Sequence, residues 1–166
     1  MYTIYCDMDG VLVDFEKGYE EVTGKPFSEA GEGPEFWEPI HKMGAAFWIK
    51  LKWLPDGKEL WNYISPYNPT LLSAPSQEES SKIGKRVWKK NNLPDVKMIL
   101  TPARFKQKYS GENKILIDDM ERNHPHVDIT NLGEMKKKKL QYKDEISRLE
   151  KLQWEYDHEH IHGDDY

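Results

Sequence analysis

Two pairs of aspartates carry the chemistry open to this sequence. Asp7 and Asp9 stand two residues apart, directly after the short apolar run Thr3-Ile4-Tyr5-Cys6. Residues i and i+2 of an extended chain point to the same side, so both carboxylates share a face. Like charges held together repel unless a cation or a shared proton compensates. Asp118 and Asp119 repeat the arrangement after Lys114-Ile115-Leu116-Ile117. In an open parallel sheet, ligands bind beyond the carboxyl ends of the strands, so the four carboxylates are expected at one edge. All-oxygen donors of this kind suit Mg2+, which keeps several waters and meets substrate phosphate. Asp7-Met8-Asp9-Gly10 alone reads first as turn chemistry. The second pair, behind an Ile-Leu-Ile strand, shifts the balance toward a cation site.

For these pairs to converge, strands must alternate with helices. Thr70-Leu71-Leu72 reads as a strand ending at Ser73-Ala74-Pro75, and Val96-Lys97-Met98-Ile99-Leu100 as another. Ser76 followed by Glu79 is a capping-box pattern. The helix it opens is expected to carry Ile83, Val87 and Trp88 on one face and to stop at Asn91-Asn92-Leu93-Pro94. A further helix is expected from Asp14 through Val22. Strands separated by helix-length segments predict βαβ units and a parallel sheet flanked by helices, an α/β, Rossmann-like fold.

Residues 15–66 break this pattern. They hold six of the eleven glycines and four of the six tryptophans: Trp37, Trp48, Trp53 and Trp61. Short helical pieces, separated by Gly31-Glu32-Gly33-Pro34 and Pro55-Asp56-Gly57, read as a small helical cap inserted after the first strand. The core is then 1–14 together with 67–132. From Gly133 the chain is charged, with Met135, Tyr142, Ile146, Leu149, Leu152 and Tyr156 in a helical stripe. Residues 133–166 are read as a long amphipathic C-terminal helix and polar tail, with a homodimer through that helix as one use. His158, His160 and His162 are read as part of that tail, and Lys136-Lys137-Lys138-Lys139 as a solvated segment.

Composition narrows the partners. The 166 residues carry 24 basic and 29 acidic side chains, net −5, with a mean hydropathy of −0.85. That balance argues against a nucleic-acid-coating surface, which needs clustered Lys and Arg. The lone Cys6 excludes an internal disulfide framework and a cysteine-based zinc site. No apolar run approaches the roughly 18 residues of a membrane helix, and Met1-Tyr2-Thr3-Ile4-Tyr5 lacks a signal-peptide pattern. A cytoplasmic protein without a membrane partner is expected.

Asp7-Met8-Asp9-Gly10-Val11-Leu12-Val13-Asp14 resembles the first motif of haloacid dehalogenase-like phosphatases. With Phe15-Glu16 it is most similar to the 5′(3′)-deoxyribonucleotidase branch. Leu71-Leu72-Ser73-Ala74-Pro75 sits where the second motif belongs, and Leu116-Ile117-Asp118-Asp119 matches the fourth. The third requires a lysine: Lys108 fits without a gap, whereas Arg104-Phe105-Lys106 fits with two extra residues and is favoured. Phe47-Trp48, ahead of Leu51 and Leu54-Pro55, resembles the branch's aromatic pair. After Asp119 the Trp and Gly-Gly usual in that branch are missing, which leaves the far edge of the sheet open.

The resemblance implies a haloacid dehalogenase-like fold and a Mg2+-dependent phosphomonoesterase. It would hydrolyse (deoxy)ribonucleoside monophosphates, small-molecule substrates, to nucleoside and phosphate through an aspartyl-phosphate. Asp7 would be the nucleophile and Asp9 the general acid, then base. The Asp7 side chain, the Asp9 carbonyl and Asp118 or Asp119 would hold the metal. Ser73 with Ala74, the Lys106 ammonium and the amides around Gly10 would hold phosphoryl oxygens, with Arg104 on phosphate or base. Phe47 and Trp48 would stack on the base, whereas Trp53 and Trp61 would belong to a mini-core. The alternatives are a phosphatase for a nucleic-acid 3′-phosphate or a sugar phosphate, and a non-catalytic binding or scaffold protein.

Overall fold

The computed structural model describes residues 2–120 and Lys151. The chain divides into two compact units, Met1–Asp128 and Ile129–Tyr166. The C-terminal stripe, the lysine run, the histidine-rich end and a dimer through the tail fall outside the described residues.

Among the described residues, nine elements and three 3-10 turns build the first unit. They are β1 (Thr3–Cys6), α1 (Phe15–Thr23), α2 (Pro34–Met43), α3 (Ala45–Lys50), α4 (Pro55–Ile64), β2 (Thr70–Ser73), α5 (Glu79–Asn92), β3 (Met98–Leu100) and β4 (Lys114–Ile117). The 3-10 turns are Phe27–Glu29, Ser65–Tyr67 and Ala103–Tyr109. The strands form one parallel sheet in the order β3-β2-β1-β4, flanked by helices. Ile4, Cys6, Leu71, Leu72, Leu116 and Ile117 are all buried. Near-continuous burial is what a parallel sheet covered on both faces requires. No helix among the described residues is long and apolar enough to cross a membrane.

Register sets the site. Cys6 pairs with Leu71 on one side and Ile117 on the other, while Ser73 pairs with Leu100. Asp7 and Asp118 each follow one of a paired couple of residues, so they leave the sheet side by side. The Asp7 amide donates to the Ile117 carbonyl at 2.9 Å.

The chain then doubles back. The Leu12 and Val13 amides both donate to the Met8 carbonyl, at 2.8 and 2.9 Å, and Met8, Val11, Leu12 and Val13 are buried. Gly10 enables this turn with φ of 71°, and any Cβ there would collide with the Asp119 carboxylate. Asp14 caps α1, its Oδ1 accepting from the Lys17 amide at 3.0 Å.

The segment beyond is closed at its neck. The Asp14 amide donates to the Lys52 carbonyl at 2.9 Å, and the Leu54 amide to the Leu12 carbonyl at 2.8 Å. Within it, rings pack on rings. Tyr19 stacks on Phe36 with centroids 4.9 Å apart, and Phe15 contacts Phe27, Phe36, Phe47 and Trp48.

Several local expectations are corrected. Pro55-Asp56-Gly57 is the first turn of α4 rather than a separator, because Pro is accommodated at a helix start. Gly57 lies against the Val11 and Leu12 backbone, where a Cβ would not fit. Ser76 and Glu79 form no capping box: α5 begins at Glu79 without a side-chain cap, and the Ser76 amide donates to Ser81 Oγ at 3.0 Å. Ile83 is 48% exposed, and the buried face of α5 is Ser81, Gly84, Lys85 and Trp88. The reason is close packing on α3: a Cβ on Gly84 would meet Trp48 and the Ala45 carbonyl. Small residues, not the bulkiest apolar ones, must face that contact. β3 starts at Met98 rather than Val96, because the Val96 amide closes a turn onto the Leu93 carbonyl.

Candidate functional site

Asp7 lies at the end of the sheet with only 4% of its surface exposed. Its Oδ1 accepts from the Met8 amide at 2.7 Å, and Lys106 Nζ stands 2.5 Å from its Oδ2. The same ammonium donates to Asp118 Oδ2 at 2.8 Å, while Asp118 Oδ1 accepts from the Met120 amide at 2.8 Å. One lysine therefore bridges carboxylates delivered by two neighbouring strands.

The turn Ala103–Tyr109 explains why the lysine is Lys106. In a 3-10 helix, residues three apart share a face. Tyr109 packs edge-on against Tyr5 at 4.9 Å, which turns Lys106 inward to 2% exposure. Lys108 and Arg104 are exposed, their cationic groups 4.5 and 4.7 Å from the Phe105 ring, and neither lines the central cavity.

Negative charge is in excess here. Burial, with the Asp118 and Asp9 charges added, pushes Asp7 up to about 7 against the pull of Lys106. Burial and the Asp118 charge push Asp119 up to about 6. Burial opposes the charge on Lys106, but Asp7 and Asp118 outweigh it and hold its pKa above the ordinary lysine value. Asp7, Asp118 and Asp119 each offer an oxygen, and these oxygens lie within 4.8 Å of one another. Oxygens around an octahedral Mg2+, bonded at about 2.0–2.1 Å, sit roughly 3–4 Å apart. These three carboxylates are the groups that would hold such an ion, and the single Lys106 ammonium does not balance their charge. The Asp9 carboxylate stands outside this trio.

Asp9 belongs to a second polar group. Lys85 Nζ lies 2.5 Å from Asp9 Oδ2, donates to Ser73 Oγ at 2.9 Å, and sits 4.6 Å from the centre of the Trp48 ring. Lys85 and Ser73 are wholly buried. Sequence reasoning missed Lys85. The sequence held no signal for it: Ser81, Gly84, Lys85 and Trp88 share one face of α5, but three of the four are not apolar, so hydrophobic periodicity marked other positions.

Above both groups opens a cavity of about 500 Å³. Asp7, Asp9, Gly10, Ala74, Lys106 and Asp119 are part of its lining. The rings of Phe15, Phe27, Phe36, Trp37 and Trp48 belong to the same lining. Of the two aromatic residues singled out from the sequence, Trp48 reaches this cavity. Phe47 does not: it is buried between α1 and α3 and borders a separate hollow of about 50 Å³ with Lys17 and Gly18. Trp53 packs on Trp88 at 5.0 Å and donates from Nε1 to Asn92, and Trp61 is buried. Phe36 and Trp37 went unrecognised as wall residues. Their signal was an adjacent aromatic pair that starts two residues after Pro34, the first residue of α2.

Comparison with known proteins gives one partial match. The family model described as "Protein of unknown function (DUF465)" matches residues 115–150, from within β4 through Asp118 and Asp119. No curated protein and no solved structure matches the chain. The family expectation is thereby corrected: the matching family is one of unknown function and not haloacid dehalogenase-like phosphatases. The physical reason lies in how short the motifs are. Any parallel strand that ends in a tight turn favours Asp, Gly and Ser at that point, so strand-end motifs recur without common descent.

Proposed function

We propose that the chain is a divalent-cation-dependent phosphomonoesterase acting on (deoxy)nucleoside monophosphates, with Mg2+ as the cation. One observation carries the reading: a buried carboxylate, Asp7, faces an aromatic-walled cavity of about 500 Å³ with Lys106 on one oxygen and Asp118 and Asp119 within cation-sharing reach. The cavity has the size of a small-molecule pocket. Its lining combines charged groups with flat rings, as a nucleotide combines a phosphate with a base. Base stacking on an aromatic ring contributes about 1–3 kcal/mol and tolerates different bases.

In this reading Asp7 attacks phosphorus. A carboxylate-to-phosphorus bond forms as the ester P–O bond breaks, and Asp9 gives a proton to the departing nucleoside oxygen. Asp9 then takes a proton from a water, whose oxygen attacks phosphorus and releases Asp7 and phosphate. Lys106 holds Asp7 in place and offsets charge gathering on the phosphoryl oxygens. Held by Asp7, Asp118 and Asp119, Mg2+ would offset the repulsion between an anionic nucleophile and an anionic phosphate. The rings of Phe15, Phe36 and Trp48 limit bulk water around the carboxylates, which strengthens each electrostatic contact there.

The test is phosphate release from a panel of nucleoside monophosphates, with Mg2+ and with a chelator. Release that requires the cation and disappears in Asp7→Asn is expected. A chain that releases no phosphate from any of them refutes the reading, and an Asp7→Asn protein with full activity refutes the nucleophile.

A further inference from the structure

We propose that Glu16 reads the base: its carboxylate accepts the two adjacent N–H donors of guanine, which makes guanine nucleoside monophosphates the preferred substrates of the cavity. The inference rests on the phosphomonoesterase reading and names the substrate class within it.

The carboxylates in the lining of the central cavity are Asp7, Asp9, Glu16 and Asp119. Three of them follow β1 or β4, and the phosphomonoesterase reading gives them to the metal and the reacting phosphate. Glu16 comes from elsewhere, the first turn of α1. Its chain neighbour Phe15 contacts Phe27 and Phe36 with centroids 6.3 and 6.2 Å apart, and all three rings line the same cavity. The fourth carboxylate therefore belongs to the ring-bearing segment, where a base would stack. Its backbone is anchored from behind, because Asp14 both caps α1 and closes the neck onto Lys52. Glu16 is exposed, and among the described residues no hydrogen bond or ion pair engages its carboxylate. Its oxygens are left for a ligand.

The chemistry of a carboxylate then selects among bases. It accepts hydrogen bonds and donates none. Guanine places N1–H beside the N2 amino group, two donors side by side for two oxygens. Adenine and cytosine set an amino group beside a bare ring nitrogen, and uracil and thymine set one N–H between two carbonyls. Against each of these a carboxylate gains one bond and meets a lone pair. A cavity of about 500 Å³ has room for a purine.

The test compares kcat/KM of the full chain, in Mg2+, for deoxyguanosine monophosphate and deoxyinosine monophosphate, which differ only in the N2 amino group. Wild type is expected to favour guanine about tenfold, the scale of one hydrogen bond to a charged group. Glu16→Gln keeps the length of the side chain but replaces one acceptor by a donor, so the ratio should fall to within about twofold of one. Should that variant turn over too slowly to measure, quenching of tryptophan fluorescence by the same two nucleotides gives the ratio of Kd values in both proteins without turnover, with the same expectation. A guanine preference that survives Glu16→Gln overturns the proposal, as does an equal loss on both substrates with the ratio kept. A wild-type chain that releases no phosphate from either nucleotide overturns the phosphomonoesterase reading together with this inference. An active wild type that treats the two alike overturns the inference alone.

Discussion

Two interiors of opposite character meet at the central cavity. At the strand ends the buried groups are charged, and each has a specific partner: Lys106 with Asp7 and Asp118, Lys85 with Asp9 and Ser73. Across the cavity, in residues 15–66, the packed groups are rings touching rings, as in Tyr19 on Phe36 and Phe47 on Trp48. The first interior depends on direction and on charge count. The second depends on area and shape, which neighbouring rings share. Changes at the strand ends are therefore expected to act all-or-none, and changes among the rings by degrees.

Asp7→Asn should sharpen that contrast most. Phosphate release is expected to fall by about a thousandfold or more, as for loss of a covalent nucleophile. The melting temperature at pH 8 should hold or rise, because one of three crowded negative charges is gone. Preserved activity would place the chemistry elsewhere. Lys106→Met comes next and separates charge from shape: it leaves Asp7 and Asp118 facing each other, so stability should drop by about 3–5 kcal/mol in a denaturant titration. A loss under about 1 kcal/mol would mean that water or a cation already offsets those carboxylates.

On the ring side, Trp37→Ala should raise KM for nucleotides about tenfold with kcat nearly kept, in line with one lost stacking partner. Glycerol phosphate, which has no ring, should show no change. A collapse of kcat instead would mean that the ring wall also aligns the reacting groups. The smallest expected effect is on pH. Burial raises Asp7 to about 7 and Asp119 to about 6. Unfolded carboxyls ionise near pH 4. Between about pH 4 and 7 the folded chain thus holds protons that the unfolded chain has released. By linkage, stability must fall as pH rises through that window. Chelator-treated protein should melt at a higher temperature at pH 5 than at pH 8, and Asp7→Asn should narrow the gap. A gap that Asp7→Asn leaves unchanged would remove Asp7 as its source.

The sequence was informative where one local rule decides the outcome. β1, β2 and β4 are short apolar runs broken by Asp or Ser, and they end within a residue of where those breaks stand. Lys106 was favoured over Lys108 from the sequence, and the three-residue period of its turn explains why Lys106 is the one turned inward. Lys85 escaped notice because α5 buries a serine, a glycine and a lysine while exposing Ile83, so apolar periodicity pointed to the wrong face. Phe47 and Trp48 look alike in the text. Only the packing of α1 on α3, with Gly18 against Leu51 and Phe47, decides which ring meets the cavity.

The two backbone hydrogen bonds at the neck, Asp14 to Lys52 and Leu54 to Leu12, have an evolutionary consequence. They bring the beginning and end of the ring-rich segment to the same place, so the sheet experiences it as a single short stem. Its length and lining can change, or be exchanged for another such segment, while the sheet keeps the spacing of the carboxylates below. Selection can then retune what enters the cavity without reinventing what happens at its floor.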